Sequence, residues 1–158
     1  MLSSLFLSKN QKLVKKWTKE HEDIVRLTHE VLAEYSKNNH RAAKRVLKSL
    51  SHLVIDHVTN ENLEFYKLLR DENRVSVKNK QYTEEFVSTF KDMRLDLMQF
   101  LTKYTQKSAV LDEEFFSTLN QIADVLVERI DFEEENLYRQ LYSNDKEEQE
   151  WERHKRKF

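Results

Sequence analysis

The chain has no cysteine, no glycine and no proline. Without cysteine there can be no disulfide, no thiolate metal site and no cysteine nucleophile, and nothing in the composition speaks against a reducing cytoplasm. Without glycine there is no P-loop, no dinucleotide-binding fingerprint and no type I′ hairpin, so nucleotide-phosphate chemistry is not expected. Without proline or glycine to break it, helix becomes the default state. Long hydrophobic runs are missing too. The apolar stretch from Met1 to Leu7 has no basic flank and is too short for a signal core or a membrane span, so a cytoplasmic location is expected, with no membrane partner.

The 158 residues suit one domain, 1–158, with a core at about 9–142 and a charged extension at 143–158. The net charge of −1 gives no bulk attraction to nucleic acid or anionic lipid. Its distribution is uneven: residues 1–80 hold 16 Lys/Arg against 10 Asp/Glu, and residues 81–158 hold 11 against 18. A basic half facing an acidic half would help two helical hairpins pair, and the same charged faces are where a protein partner would dock.

Apolar residues recur at three- and four-residue steps over four long segments, which predicts an all-α, up-down antiparallel four-helix bundle. Polar breaks fall at 37–39, 71–80 and 106–111. The first helix starts near Ser8, where Ser8 and Gln11 have capping-box spacing, and runs to about Ser36 with the seam Leu13, Trp17, His21, Ile24, Thr28, Leu32. The second covers about His40 to Arg70, with Val46, Leu50, Leu53, Val54, His57, Glu61, Phe65 and Leu68 inward. The third follows Thr83 and lines up Phe86, Phe90, Met93, Leu97, Phe100, Leu101 and Tyr104. The fourth opens at Asp112, a favourable N-cap, and aligns Phe115, Leu119, Ile122, Leu126, Ile130, Glu133, Leu137 and Leu141. A short charged helix anchored by Trp151 is expected from Asn144 onward.

Four polar side chains interrupt these seams: His21, His57, Glu61 and Glu133. Burying an imidazole or a carboxylate without a partner costs several kcal/mol, so such groups are paired with one another or with a metal ion. His57 and Glu61 stand one helical turn apart and can address the same point. The segment 57–69 aligns without gaps on 129–141 at an offset of 72, matching Glu61 with Glu133, Tyr66 with Tyr138 and His57 with Arg129. The same offset sets His21 opposite Met93. Both chemistries remain open at this point: a metal site, or an ion-pair network in which the Arg129 guanidinium supplies the positive charge. Tyr66 and Tyr138 are placed to donate to the carboxylates or to pack at the bundle end, whereas Glu134 and Glu135 fall on solvated flanks.

Glu20-His21-Glu22 followed by His57-x-x-x-Glu61, over roughly residues 10–142, resembles the hemerythrin-like HHE cation-binding domains. Those are four-helix bundles with one His on the first helix of each hairpin and H-x-x-x-E on the second, together holding two irons. The resemblance implies that one ligand set survives, His21, His57, Glu61 and Glu133, while Met93 and Arg129 stand where the other iron's His ligands would be. At most one ion, Fe, Mn or Zn, would then bind, for metal binding or sensing; oxygen binding that draws one electron from each of two irons is not expected. No nucleophile-base arrangement is visible, so an enzyme is not expected. Lys12-Leu-Val-Lys-Lys-Trp17 and the Arg129-x-x-x-Glu133 segment are also similar to the Rsd/AlgQ anti-sigma regulators, which implies the alternative of a metal-free interaction protein.

Overall fold

The computed structural model describes residues 7–70 and 77–139, and between 65 and 89 it includes only some of the side chains. Four helices make up nearly all of it: α1 Lys9–Ser36, α2 His40–Arg70, α3 Val77–Tyr104 and α4 Glu113–Phe132, the last continuing into a π-helical turn, Glu133–Leu137. No strand occurs among the described residues. The third helix, expected to follow Thr83, is already present at Val77. Residues 77–80 of the expected break are already helical, which a stretch without glycine or proline permits. The expected helix after Asn144, Trp151 and Leu141 lie outside the described residues.

Helix ends are closed without glycine or proline. At the start of α1 the Ser8 hydroxyl accepts from the Gln11 backbone N–H at 3.1 Å and the Gln11 amide oxygen accepts from the Ser8 N–H at 3.2 Å. At its end Asn38 takes the left-handed backbone, φ 60°, with Asn38 N–H on Tyr35 C=O and Asn39 N–H on Glu34 C=O. This is a Schellman closure in which asparagine, the next most tolerant residue, takes the place of glycine. Asn39 then accepts from Ala42 N–H at 3.3 Å and starts α2, so three residues end one helix and begin the next. Asp112 caps α4 by accepting from Phe115 N–H at 2.9 Å.

Pairwise contacts fix the directions. The Tyr35 ring, at the end of α1, packs on Phe115 and Phe116 at the start of α4, while Trp17 near the start of α1 meets Tyr138 beyond the end of α4. Lys44 at the start of α2 donates to the C=O groups of Gln106 and Lys107, just past the end of α3. Each helix therefore runs antiparallel to its partner, as expected of short links. The inward columns are Trp17, His21, Ile24, Thr28, Val31 on α1 and Ala43, Leu47, Leu50, Val54, Val58 on α2, so Val31 is fully buried where Leu32 was expected to be.

Two apolar layers result. The larger runs from Ile24, Val58 and Leu126 to an aromatic end built from Phe100, Tyr104 and Phe115, with Tyr35 half-buried against it. The smaller consists of Trp17, Leu137 and Tyr138, with Leu13, Val14, Phe90 and Phe132 around them. The polar centre lies between the two. Phe115 stacks on Phe100 at 5.5 Å and meets Tyr104 edge-on at 4.9 Å. Truncating it, Phe115→Ala, is expected to cost roughly 3–5 kcal/mol in urea denaturation, with no change in the properties of the distant polar centre.

Candidate metal centre

His21, His57, Glu61 and Glu133, the four residues marked by the sequence, come together between the layers, each at most 3 % exposed. One ligand-type atom from each lies within 4.8 Å of all the others. The two imidazoles face each other through their Nε2 atoms at 2.9 Å. Glu61 Oε2 is 3.2 Å from His57 Nε2 and 3.9 Å from His21 Nε2, and Glu133 Oε2 is 3.1 Å from His21 Nε2. Donors about 2.0–2.2 Å from one first-row ion stand roughly 3 Å or a little more from each other. The spacing of this cluster fits one such ion.

The outer atoms are tied down. His57 Nδ1 meets Glu20 Oε2 at 2.7 Å, and His21 Nδ1 meets Glu134 Oε1 at 3.1 Å. A carboxylate at Nδ1 holds the proton there, which leaves the Nε2 lone pair of each ring aimed at the centre. On the other side Arg129 donates through one terminal nitrogen to Glu61 Oε1 at 3.2 Å and through Nε to Glu133 Oε1. Each carboxylate thus gives Oε1 to the guanidinium and turns Oε2 toward the imidazoles. Glu133 Oε2 receives no well-aligned hydrogen bond among the described residues. Tyr138 donates to Glu61 Oε2, and its hydroxyl also stands 3.1 Å from His21 Nε2.

Protonation follows from burial and from these neighbours. Burial pulls the His21 pKa below its ordinary value, and the adjacent His57 adds to the effect. Burial opposes charge on His57 as well, but its contacts with Glu61 and Glu20 outweigh it and the pKa is raised. Glu61 is held well below the usual carboxylate range: burial would raise it, and His57, Glu133 and Arg129 together win. Burial, with repulsion from Glu61, pushes Glu133 well above that range, which Arg129 only partly offsets. Without a metal, protons carry the charge that the two carboxylates demand beyond Arg129.

Two residues of the centre escaped the sequence reading. Glu134 was assigned to a solvated flank, yet its partly exposed side chain reaches back to His21 Nδ1 from the position next to Glu133. Glu20 could have been found from the antiparallel pairing of α1 with α2, which puts 20 and 21 opposite 57. Tyr138 takes the hydrogen-bonding role and also packs on Trp17 at 5.5 Å. The side chain of its counterpart Tyr66 lies outside the described residues.

The offset of 72 holds for α2 against α4, since Glu61 and Glu133 meet on one guanidinium, but it does not carry over to α1 against α3. Met93 is half-buried along a groove of about 210 Å³ with Leu97, Ile122 and Leu126, and Phe90 is the α3 side chain over Arg129, 5.5 Å from its guanidinium carbon. An offset of 69 pairs His21 with Phe90, Ile24 with Met93, Thr28 with Leu97, Val31 with Phe100 and Tyr35 with Tyr104. The shift has a simple cause, because the link 105–112 is longer than the link 37–39. Among the described side chains of α3, the Phe90 ring and not the Met93 thioether lies over Arg129.

Residues 12–141 match the family model described as hemerythrin HHE cation binding domain. The chain belongs to that family, whose helical bundle and His/Glu constellation the geometry shares. No curated protein and no solved structure matches it.

Arg129 is the one guanidinium shared by two buried carboxylates, so removing it should expose how much charge the centre must balance. In the metal-free protein Arg129→Met is expected to destabilise by roughly 3–5 kcal/mol, the cost of leaving buried charge unpaired, as read from urea denaturation at neutral pH. A loss below about 0.5 kcal/mol, the range of ordinary surface substitutions, would mean that solvent and not the guanidinium balances Glu61 and Glu133.

Proposed function

We propose that this protein binds a single transition-metal ion through His21, His57, Glu61 and Glu133 and serves as a metal-binding or metal-sensing module, not as an enzyme. The observation that carries the reading is the division of labour between the carboxylate oxygens: both Oε1 atoms are taken by Arg129, and both Oε2 atoms face the paired imidazole nitrogens. A permanent cation on one side of the carboxylates leaves room for one more on the other and repels a second dication there. Two imidazoles and two carboxylates suit Fe(II), Mn(II) or Zn(II), and family membership favours iron.

A bound ion would supply the positive charge that protons supply in its absence, and would join α1, α2 and the end of α4 through one point. Glu20 and Glu134 fix the imidazole tautomers, and Arg129 holds the carboxylates apart from each other. Ligation must displace protons from the centre and favour the native state, so metal availability is read out as stability. The charged helix faces offer a route to a protein partner. No described helix is long and apolar enough to cross a membrane.

Elemental analysis of the protein purified from cells supplied with iron, manganese and zinc is expected to find one ion per chain. His57→Ala should abolish it, and the melting temperature should fall only relative to the metal-bound form. Two ions per chain would overturn the reading. Absence of any stoichiometric ion, with retrieval of a transcription protein in a pull-down, would favour the metal-free interaction protein instead.

A further inference from the structure

Among the described residues α4 is interrupted by a π-helical turn, and this places side chains at the centre. In a regular α-helix residues five apart point about 140° away from each other at ~100° per residue. Across Glu133–Leu137 the Tyr138 N–H instead bonds to the Glu133 C=O, an i to i+5 step that stacks Tyr138 beneath Glu133. Glu133 and Tyr138 therefore address the same point, and Leu137 stays in the core.

His21 Nε2 is the atom that shows what this achieves. His57 Nε2 lies 2.9 Å from it, Glu133 Oε2 3.1 Å and Tyr138 Oη 3.1 Å. A ring nitrogen has one in-plane hydrogen-bonding direction, so it cannot satisfy three partners at once. Donor atoms crowded at such distances on several sides are what the edges of one coordination polyhedron look like. Tyr138 Oη also touches Glu61 Oε2, so it borders two of the four donors already assigned.

From this we infer that Tyr138 is itself a metal-binding residue, whose phenol oxygen completes a set of two imidazoles, two carboxylates and one phenolate suited to ferric ion; this rests on the single-ion reading above. Ligation breaks the Oη–H bond and forms a metal–oxygen bond, and the proton leaves to solvent. Counting Glu20 and Glu134 at the two Nδ1 atoms, five anionic groups stand against one guanidinium, and the four negative charges that remain are balanced better by a trivalent ion than by a divalent one. The inference also gives the π turn a role that packing alone does not, since an uninterrupted α4 would turn the Tyr138 ring away from the Glu133 side.

The test loads the full chain with ferrous ion under argon and oxidises it with one equivalent of ferricyanide, which takes the single electron the metal loses. Wild type is expected to hold one iron and to show an intense visible charge-transfer band with resonance-enhanced phenolate vibrations. Tyr138→Phe should keep one iron and lose the band, and Tyr66→Phe should keep both. The vibrational spectrum of wild type needs no variant, so a folding defect in Tyr138→Phe would not spoil the test. One iron per chain with no phenolate signature, or a band that survives in Tyr138→Phe, overturns the inference and leaves the single-ion site standing. Failure to bind iron at all overturns both.

Discussion

Two carboxylates sealed inside an apolar bundle are the constraint around which this chain is arranged. Glu61 and Glu133 have essentially no solvent exposure, and ionised groups in such a place must be met by positive charge at close range. Arg129 answers on one side, through a guanidinium that is itself buried and that carries the ring of Phe90 on its face. On the other side stand two imidazoles, of which His57 is the one whose neighbours favour its protonated form. The layers above and below keep water out and so make the demand strict. The hydrophobic core and the polar centre are one design, since the apolar packing sets how much charge compensation the centre requires.

The fold was legible because its signals are local. Ser8 with Gln11, Asn38 with Asn39, and Asp112 mark helix ends through their own side chains, and the three- and four-residue spacing of apolar positions marks the buried faces. His21, His57, Glu61 and Glu133 were legible for the converse reason, as polar residues at positions the pattern reserves for apolar ones. What escaped depends on register. Glu134 stands one residue past the seam position Glu133 and reaches His21 from the rim of the centre, and no feature of 133–137 announces the π turn that follows. Phe90 was passed over for Met93 because a single offset was carried across two links of unequal length. α3 is already helical at Val77, so the charged stretch 71–80 does not lie outside the helices along its whole length.

Family membership and local departures from the family pattern shape the centre together. The hemerythrin HHE match covers residues 12–141, and within it Arg129 binds both buried carboxylates while the Phe90 ring covers its guanidinium. A guanidinium in that position binds the carboxylates with two directed hydrogen bonds and cannot be removed by chelation or by pH in the ordinary range. One half of the charge balance has become covalent and permanent, and the other half is left exchangeable. The fixed guanidinium holds both Oε1 atoms, so the two Oε2 atoms stay turned toward the imidazoles.

X-ray absorption at the metal edge of the reconstituted protein tests the central claim most directly, because it reads the surroundings of the ion without relying on any variant. A lone ion beside Arg129 predicts one shell of nitrogen and oxygen at about 2.0–2.2 Å with imidazole scattering beyond it, and no metal neighbour. A metal–metal shell in the range of about 3.5–4 Å typical of two-metal sites would contradict it, by showing a second cation where the guanidinium is held to be.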